Sequence, residues 1–358
     1  MKLDQFLPRL TLHGRTRQDG DCLFMNWTCS GFSVRFTGRT LKAKLRALGE
    51  KQPFPPDSPV EYPWAGVTLD GDDVLCGRFV CQEGDSWYTL FDAPDSGTHT
   101  LRLIKLTENA RGKLGLLELE TDGILSSAPE EKKLQVEFVG DSITCGFGNE
   151  ATDRDAPFDP AEENGWITYA AVAARELDAE FNCVSVSGIS ANAPEKPMMP
   201  MAPMRDLYAY TDRLYDDRAG STPQKWDFTG HKKDLVLINL GTNDVNPIRF
   251  YTELGQADRE EAHFIRQYKS FIREIRELNG PDTRIVCALG PLDYYLFDDI
   301  RTAVAEYCEE AGDDRVSALK LIGINLMTEG FGAVGHPSAK THARVGHELA
   351  LRLKKILE

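Results

Sequence analysis

No stretch of this 358-residue chain approaches the roughly 18 consecutive apolar residues that a membrane span requires, so a membrane-embedded protein is not expected. The opening residues, MKLDQFLPRLTLHGRTRQDGD, lack a basic segment followed by an apolar stretch and a small-residue cleavage site. A secretory signal is therefore not expected, and the expected address is cytoplasmic. Positive charge is scarce: 41 Lys and Arg against 56 Asp and Glu leave a formal net charge of −15. Nucleic acid and anionic membranes would be repelled by such a surface, so neither is expected as a partner and a neutral substrate fits better. The eight cysteines, at 22, 29, 76, 81, 145, 183, 287 and 308, include no CxxC pair. Cys183 and Cys287 fall inside apolar strand-like runs, where buried reduced thiols are expected rather than disulfides or a zinc site. A GxxxxGK phosphate loop is missing, and no spacing of His and carboxylates suggests a metal, so the expectation is no cofactor and no metal.

What is present is a globular composition, 41% hydrophobic and 27% charged, on a chain longer than one core usually fills. Two domains are expected. From about residue 20 to 125, short alternating runs (Gly31–Thr37, Ala65–Asp73, Trp87–Phe91, Thr98–Leu106) are punctuated by Gly, Asp and Pro. Period-two alternation of this kind predicts an antiparallel β-sandwich over residues 1–127, with Trp64 and Trp87 filling its core or its interface. After the polar stretch Ser126–Lys133 the pattern changes, and residues 128–358 read as an α/β domain. Its predicted strands are Leu134–Val139, Phe181–Val186, Leu235–Leu240, Ile285–Leu289 and Val316–Leu321. Its predicted helices are Trp166–Leu177, Glu260–Leu278, Asp298–Ala311 and Ser338–Leu357, giving a parallel sheet covered on both faces. Between Ala191 and Gly230 a Pro- and Met-rich insertion carries Tyr208, Tyr210, Tyr215 and Trp226. It reads equally as a padded surface loop and as a functional one.

Four short blocks fall at strand ends on one edge of that sheet. Val139-Gly-Asp-Ser142-Ile follows the first strand, Gly188 follows the second, Gly241-Thr-Asn-Asp244 follows the third, and His336-Pro-Ser precedes the last helix. Open parallel sheets bind ligands at that edge, and a serine on a strand-to-helix turn can expose its hydroxyl there. Taken alone, Gly-Asp-Ser is also what a helix cap looks like.

Gly140-Asp-Ser-Ile, Gly188, Gly241-Thr-Asn-Asp and His336-Pro resemble, in order, the four blocks of the SGNH, or GDSL-type, hydrolases. With a sandwich placed in front, and with Gly140-Asp-Ser-Ile-Thr-Cys-Gly and Asn239-Leu-Gly-Thr-Asn-Asp, the whole chain is similar to the family 2 carbohydrate esterases. The resemblance implies a jelly-roll-like sandwich followed by a flavodoxin-like, three-layer α/β domain. It also implies a serine esterase that deacetylates acetylated xylo- or manno-oligosaccharides through an acyl-enzyme. Ser142 would be the nucleophile and His336 its base, because a hydroxyl attacks an ester only once a neutral imidazole takes its proton. The Ser142 N–H, the Gly188 N–H and the Asn243 amide would form the oxyanion hole. Asp141 and Asp244 are expected to brace these loops. One position departs from the wider superfamily, in which an aspartate stands three residues before the histidine; here it is Ala333. A Ser–His dyad in which a main-chain carbonyl, or an acid elsewhere in the chain, holds His336 is the expectation, and some family 2 members resemble the carbonyl form.

Trp166, Tyr208, Tyr210 and Trp226 are candidate sugar platforms, since aromatic faces suit the apolar side of a pyranose. His342 and His347 are expected on a helix surface. Two readings of other kinds compete: a lipid esterase, thioesterase or acyltransferase on the same fold, and a carbohydrate-binding protein that has lost activity.

Overall fold

In β1 (Gly31–Leu48) and β2 (Gly84–Lys105), alternating side chains give one apolar face and one wet face over most of the length. The computed structural model describes residues 1–52, 57–194, 202–252, 255 and 257–358. The two strands pair antiparallel from Gly31 opposite Ile104 to Ala47 opposite Gly84, with register shifts between Gly38 and Thr40 and between Leu41 and Lys42. β3 (Lys113–Thr121) adds on the other side of β1, within a nine-stranded antiparallel sheet. Irregularities of this kind bend a strand and increase its twist. The sheet therefore curls on itself around Phe32, Val34, Phe36, Leu101, Leu103 and Leu116. Trp87–Phe91 and Thr98–Leu106, expected as separate short strands, belong to one long strand up to Lys105, since the pairing with β1 that breaks off at Asp92 resumes at Gly97 beyond a bulge. Trp87 is 45% exposed, which corrects its expected place in the core. Trp64 packs against the cluster shared with the second unit.

The second unit is a five-stranded parallel sheet built from β4 (Leu134–Gly140), β5 (Ala179–Ser185), β6 (Leu235–Asn239), β7 (Arg284–Leu289) and β8 (Val316–Lys320). Its order is β5-β4-β6-β7-β8. α1 (Tyr169–Glu176) and α4 (Ala339–Leu357) cover one face, while α2 (Ala257–Asn279) and α3 (Phe297–Ala311) cover the other. Burial on both faces is why the inner strands are near-continuous apolar runs rather than alternating ones. Gly346 of α4 lets α1 approach closely, because a Cβ there would lie 2.6 Å from that of Val172.

The two units share a polar interface. Arg15, buried, forms two hydrogen bonds to the Glu137 carboxylate at 3.1 and 2.9 Å in the middle of β4. His13 Nδ1 lies 2.7 Å from Glu180 on β5, and the Trp27 indole donates to the Thr211 carbonyl at 2.8 Å.

Candidate active site

Gly140 ends β4 and Asp141 caps the short helical turn Ser142–Cys145, its Oδ1 accepting from the Ile143 N–H at 2.9 Å. Gly140 is required by space: a Cβ there would lie 2.0 Å from Thr144 Oγ1. Ser142 thus opens a helical turn, where backbone N–H groups have no intrahelical acceptor. It is 8% exposed. Its Oγ lies 2.9 Å from His336 Nε2. The other ring nitrogen, Nδ1, faces the Ala333 carbonyl at 3.2 Å. An N–H on Nδ1 donating to that carbonyl leaves Nε2 as the acceptor for the serine proton. Burial lowers the pKa of His336 below its ordinary value of 6.5, with the Ala333 and Val334 carbonyls and the Glu108 charge acting the other way. A neutral imidazole near pH 7 is the form a general base needs.

Ala333 is fully buried, and a Cβ on Gly148 would come within 2.5 Å of its methyl. The Ala333 methyl therefore packs against the Gly148 turn, and glycine at 148 is what lets it do so. The Ala333 N–H donates to the Gly148 carbonyl at 2.9 Å, fixing the loop that carries the histidine. Phe147 lies against the imidazole with ring centres 4.4 Å apart, and Phe158 stacks on Phe147 at 4.1 Å. Neither phenylalanine stood out in the sequence.

Gly188 adopts a φ of +78°, which favours glycine. The Asn243 amide donates to the Ile189 carbonyl at 3.0 Å and lies 3.4 Å from Asp141 Oδ2, beside the nucleophile. Gly188 and Asn243 line a cavity of about 400 Å³ whose wall includes Pro194, Pro247, Ile248 and Phe264. Asp244 accepts from the Ala191 and Asn192 N–H groups at 2.9 and 3.2 Å, bracing the loop after Gly188. Burial pushes Asp141 up to about 7 and Asp244 up to about 6, with Asp244 adding to the shift at Asp141.

The aromatic candidates lie elsewhere. Trp166 is 4% exposed, its indole donating to the Asp73 carbonyl, with the Arg175 and Arg102 guanidiniums 4.5 and 5.1 Å from the ring centre. Tyr208 is fully buried, with Arg15 4.7 Å from its ring centre and its hydroxyl donating to Glu137 at 2.9 Å. Trp226 is half-buried against His231 and 5.5 Å from Arg15. Trp166 and Tyr208, both buried, are corrected from sugar platforms to faces for guanidiniums at the interface between the units, and Trp226 lies beside them near Arg15. Tyr210 is half-buried with Lys225 Nζ 3.9 Å from its ring centre, and it borders a depression that shares Asn192 and Ala193 with the first cavity. His342 is also corrected: it is 1% exposed, accepts from the Tyr169 N–H at 3.1 Å and is pushed down to about 3 by burial. His347 is exposed beside Glu176.

All eight cysteines are free, and six are buried. Among the described residues, donor atoms of buried Glu108, Cys145 and Glu163 lie within 4.8 Å of one another. Arg111 Nε donates to Glu108 at 3.2 Å, and Lys105 Nζ sits on the Thr107 and Glu108 carbonyls at 2.7 and 2.6 Å. Arg111 thus already supplies a counter-charge to one carboxylate of this cluster.

A serine hydroxyl held on a neutral imidazole at the carboxyl edge of a parallel sheet, with a glycine and an asparagine close by, defines a serine ester hydrolase. Residues 138–344 match the GDSL-like Lipase/Acylhydrolase family, and residues 12–129 match the carbohydrate esterase 2 N-terminal family. The chain belongs to the GDSL-like lipase/acylhydrolase family, in the two-domain form of the family 2 carbohydrate esterases. It is 30% identical to the cellulase/esterase CelE of Acetivibrio thermocellus over 92% of this chain, which spans 37% of that protein's length. It is 28% identical to an acetylxylan esterase / glucomannan deacetylase of Cellvibrio japonicus, over 98% of this chain and 90% of that one. A family two carbohydrate esterase from Clostridium thermocellum, solved with cellohexaose, superposes with a TM-score of 0.82 at 28% identity, covering 97% of this chain and 99% of that one.

Proposed function

We propose that this protein removes acetyl groups from xylo- or manno-oligosaccharides. Ser142 attacks the acetyl carbonyl while His336 takes its proton; the sugar hydroxyl leaves with that proton, and a water activated by His336 then releases acetate from the acyl-enzyme. The Ser142 and Gly188 N–H groups and the Asn243 amide hold the oxyanion. The observation that carries this reading is the single line of contacts from Ser142 Oγ through His336 to the Ala333 carbonyl, at 2.9 and 3.2 Å. The Cellvibrio relative, named for xylan and glucomannan deacetylation, supports the substrate class. A cytoplasmic address is part of the proposal, with imported oligosaccharides rather than intact polymer as substrates; finding the enzyme outside the cell acting on whole xylan would overturn that part.

The cavity beside Gly188 and Asn243, walled by Pro194, Pro247, Ile248 and Phe264, favours a second reading in which a longer acyl chain is accepted. Comparing acetyl and octanoyl 4-nitrophenyl esters with acetylated xylo- and manno-oligosaccharides separates the two. Acetate release from the sugars and weak octanoyl turnover are expected. Preferential octanoyl hydrolysis with the sugars untouched would favour the second reading, and no release from any ester by folded protein would leave a binding protein.

A further inference from the structure

The N-terminal unit reaches the catalytic edge through one buried carboxylate. Glu108, three residues beyond the end of β2, is fully buried and sends its two oxygens in different directions. Oε1 accepts from Arg111 Nε at 3.2 Å. Oε2 accepts from the Ser187 backbone N–H at 2.7 Å and from Cys145 Sγ at 3.7 Å. Ser187 immediately precedes Gly188, and Cys145 closes the turn that Ser142 opens. Arg111, held in turn by Glu61 at 2.7 Å, lies 4.1 Å from the ring centre of Phe158, which stacks on Phe147 against His336. Two parts of the catalytic edge thus meet on one side chain from the other unit, and the histidine is reached from it through Arg111 and the two phenylalanines. A surface role for the N-terminal unit does not require any of these contacts, and burying a carboxylate is costly unless its partners hold it.

We infer that Glu108 is a positioning residue, which fixes the Gly188 N–H relative to Ser142 by anchoring the Ser187 amide and the nucleophile turn on the N-terminal unit. This rests on the esterase reading. It assigns the accessory unit a part in the chemistry: an oxyanion donor works only if it is already in place when charge develops, and small displacements of such groups cost rate rather than binding. Glu163, buried beside Glu108 and held well above the usual carboxylate range by that burial and by the Glu108 charge, accepts the Glu108 N–H at 3.2 Å, and among the described residues its carboxylate is hydrogen-bonded to neither Ser187 nor Cys145. It therefore serves as the control for damage to the same cluster.

The test measures kcat, KM, the pH profile and Tm of wild type, Glu108→Gln and Glu163→Gln with 4-nitrophenyl acetate. For Glu108→Gln a loss in kcat of about ten- to a hundredfold is expected, with KM within about twofold. The acid limb of kcat/KM should move to lower pH, because the Glu108 charge raises the His336 pKa, and the remaining influences on His336, its burial and the Ala333 and Val334 carbonyls, are untouched. Glu163→Gln should stay near wild type. Equal losses in both variants, or wild-type kcat in folded Glu108→Gln, would overturn the positioning role while leaving the esterase standing. Should Glu108→Gln fail to fold, Glu108→Asp carries the same test, since it keeps the charge but withdraws it by one methylene: lowered kcat supports the role and wild-type kcat overturns it. Wild type inactive on every ester would overturn the esterase reading and this inference with it.

Discussion

The carboxyl edge of the parallel sheet and the flank facing the N-terminal unit use polar side chains in opposite ways. At the edge, the working groups sit on short turns and are held by main-chain atoms nearby in sequence: Asp141 caps Ile143, and the Ala333 carbonyl steers His336. On the flank, Arg15, Arg102 and Arg175 lie against aromatic rings and carboxylates, most of them far away along the chain, with Arg15 on Glu137 and Tyr208 as the deepest example. Local turns can present a reactive group at the surface, whereas buried ions require partners that only the folded chain assembles. The edge is thus built for chemistry and the flank for holding two units as one.

This contrast can be broken by substitution. The largest effect belongs to the edge: Ser142→Ala or His336→Ala should each cut kcat by about 10⁴- to 10⁶-fold with little change in Tm, and the double variant should lose no more than either single one, since the pair acts as a unit. Additive losses would mean that the two do not share a proton. On the flank, Arg15→Met should leave kcat of the folded protein near wild type but cost about 3–5 kcal/mol in denaturant unfolding, because Glu137 is left buried without its ion-pair partner. Replacing Glu137 as well, with Met, should restore much of that loss. The smallest effect separates two histidines six residues apart. His342, lowered from 6.5 to about 3, contributes stability that is fully present above about pH 6.5 and is lost as pH falls toward 3. His342→Asn should flatten Tm against pH in that window without moving the acid limb of the rate profile; an unchanged pH dependence of Tm would remove His342 from this role.

The same contrast explains what the sequence discloses. Five strands, four long helices and the four motif blocks are legible because periodicity and turn residues are local properties, and the observed ends differ from those expected by a few residues at most. The long curled strands are not, since the pairing with β1 that resumes at Gly97, past the bulge after Asp92, joins two runs that alternation alone leaves separate. Trp166 and Tyr208 escape a local reading for a related reason: an aromatic side chain looks free until the arginine that covers it is located, and Arg15 stands 193 residues before Tyr208. Glu108 carries no local signature. His342 did carry one, because it lies at helical spacing from buried Val345, Leu349 and Leu353, the apolar stripe of α4.

In the proposed mechanism Ser142 itself carries the acyl group. Wild-type enzyme quenched with acid during turnover of 4-nitrophenyl acetate, then digested and mapped by mass spectrometry, tests it directly. One acetyl group on the Ser142 hydroxyl, missing from His336→Ala, is the predicted result. A burst of nitrophenol with acetyl on another residue would contradict the account.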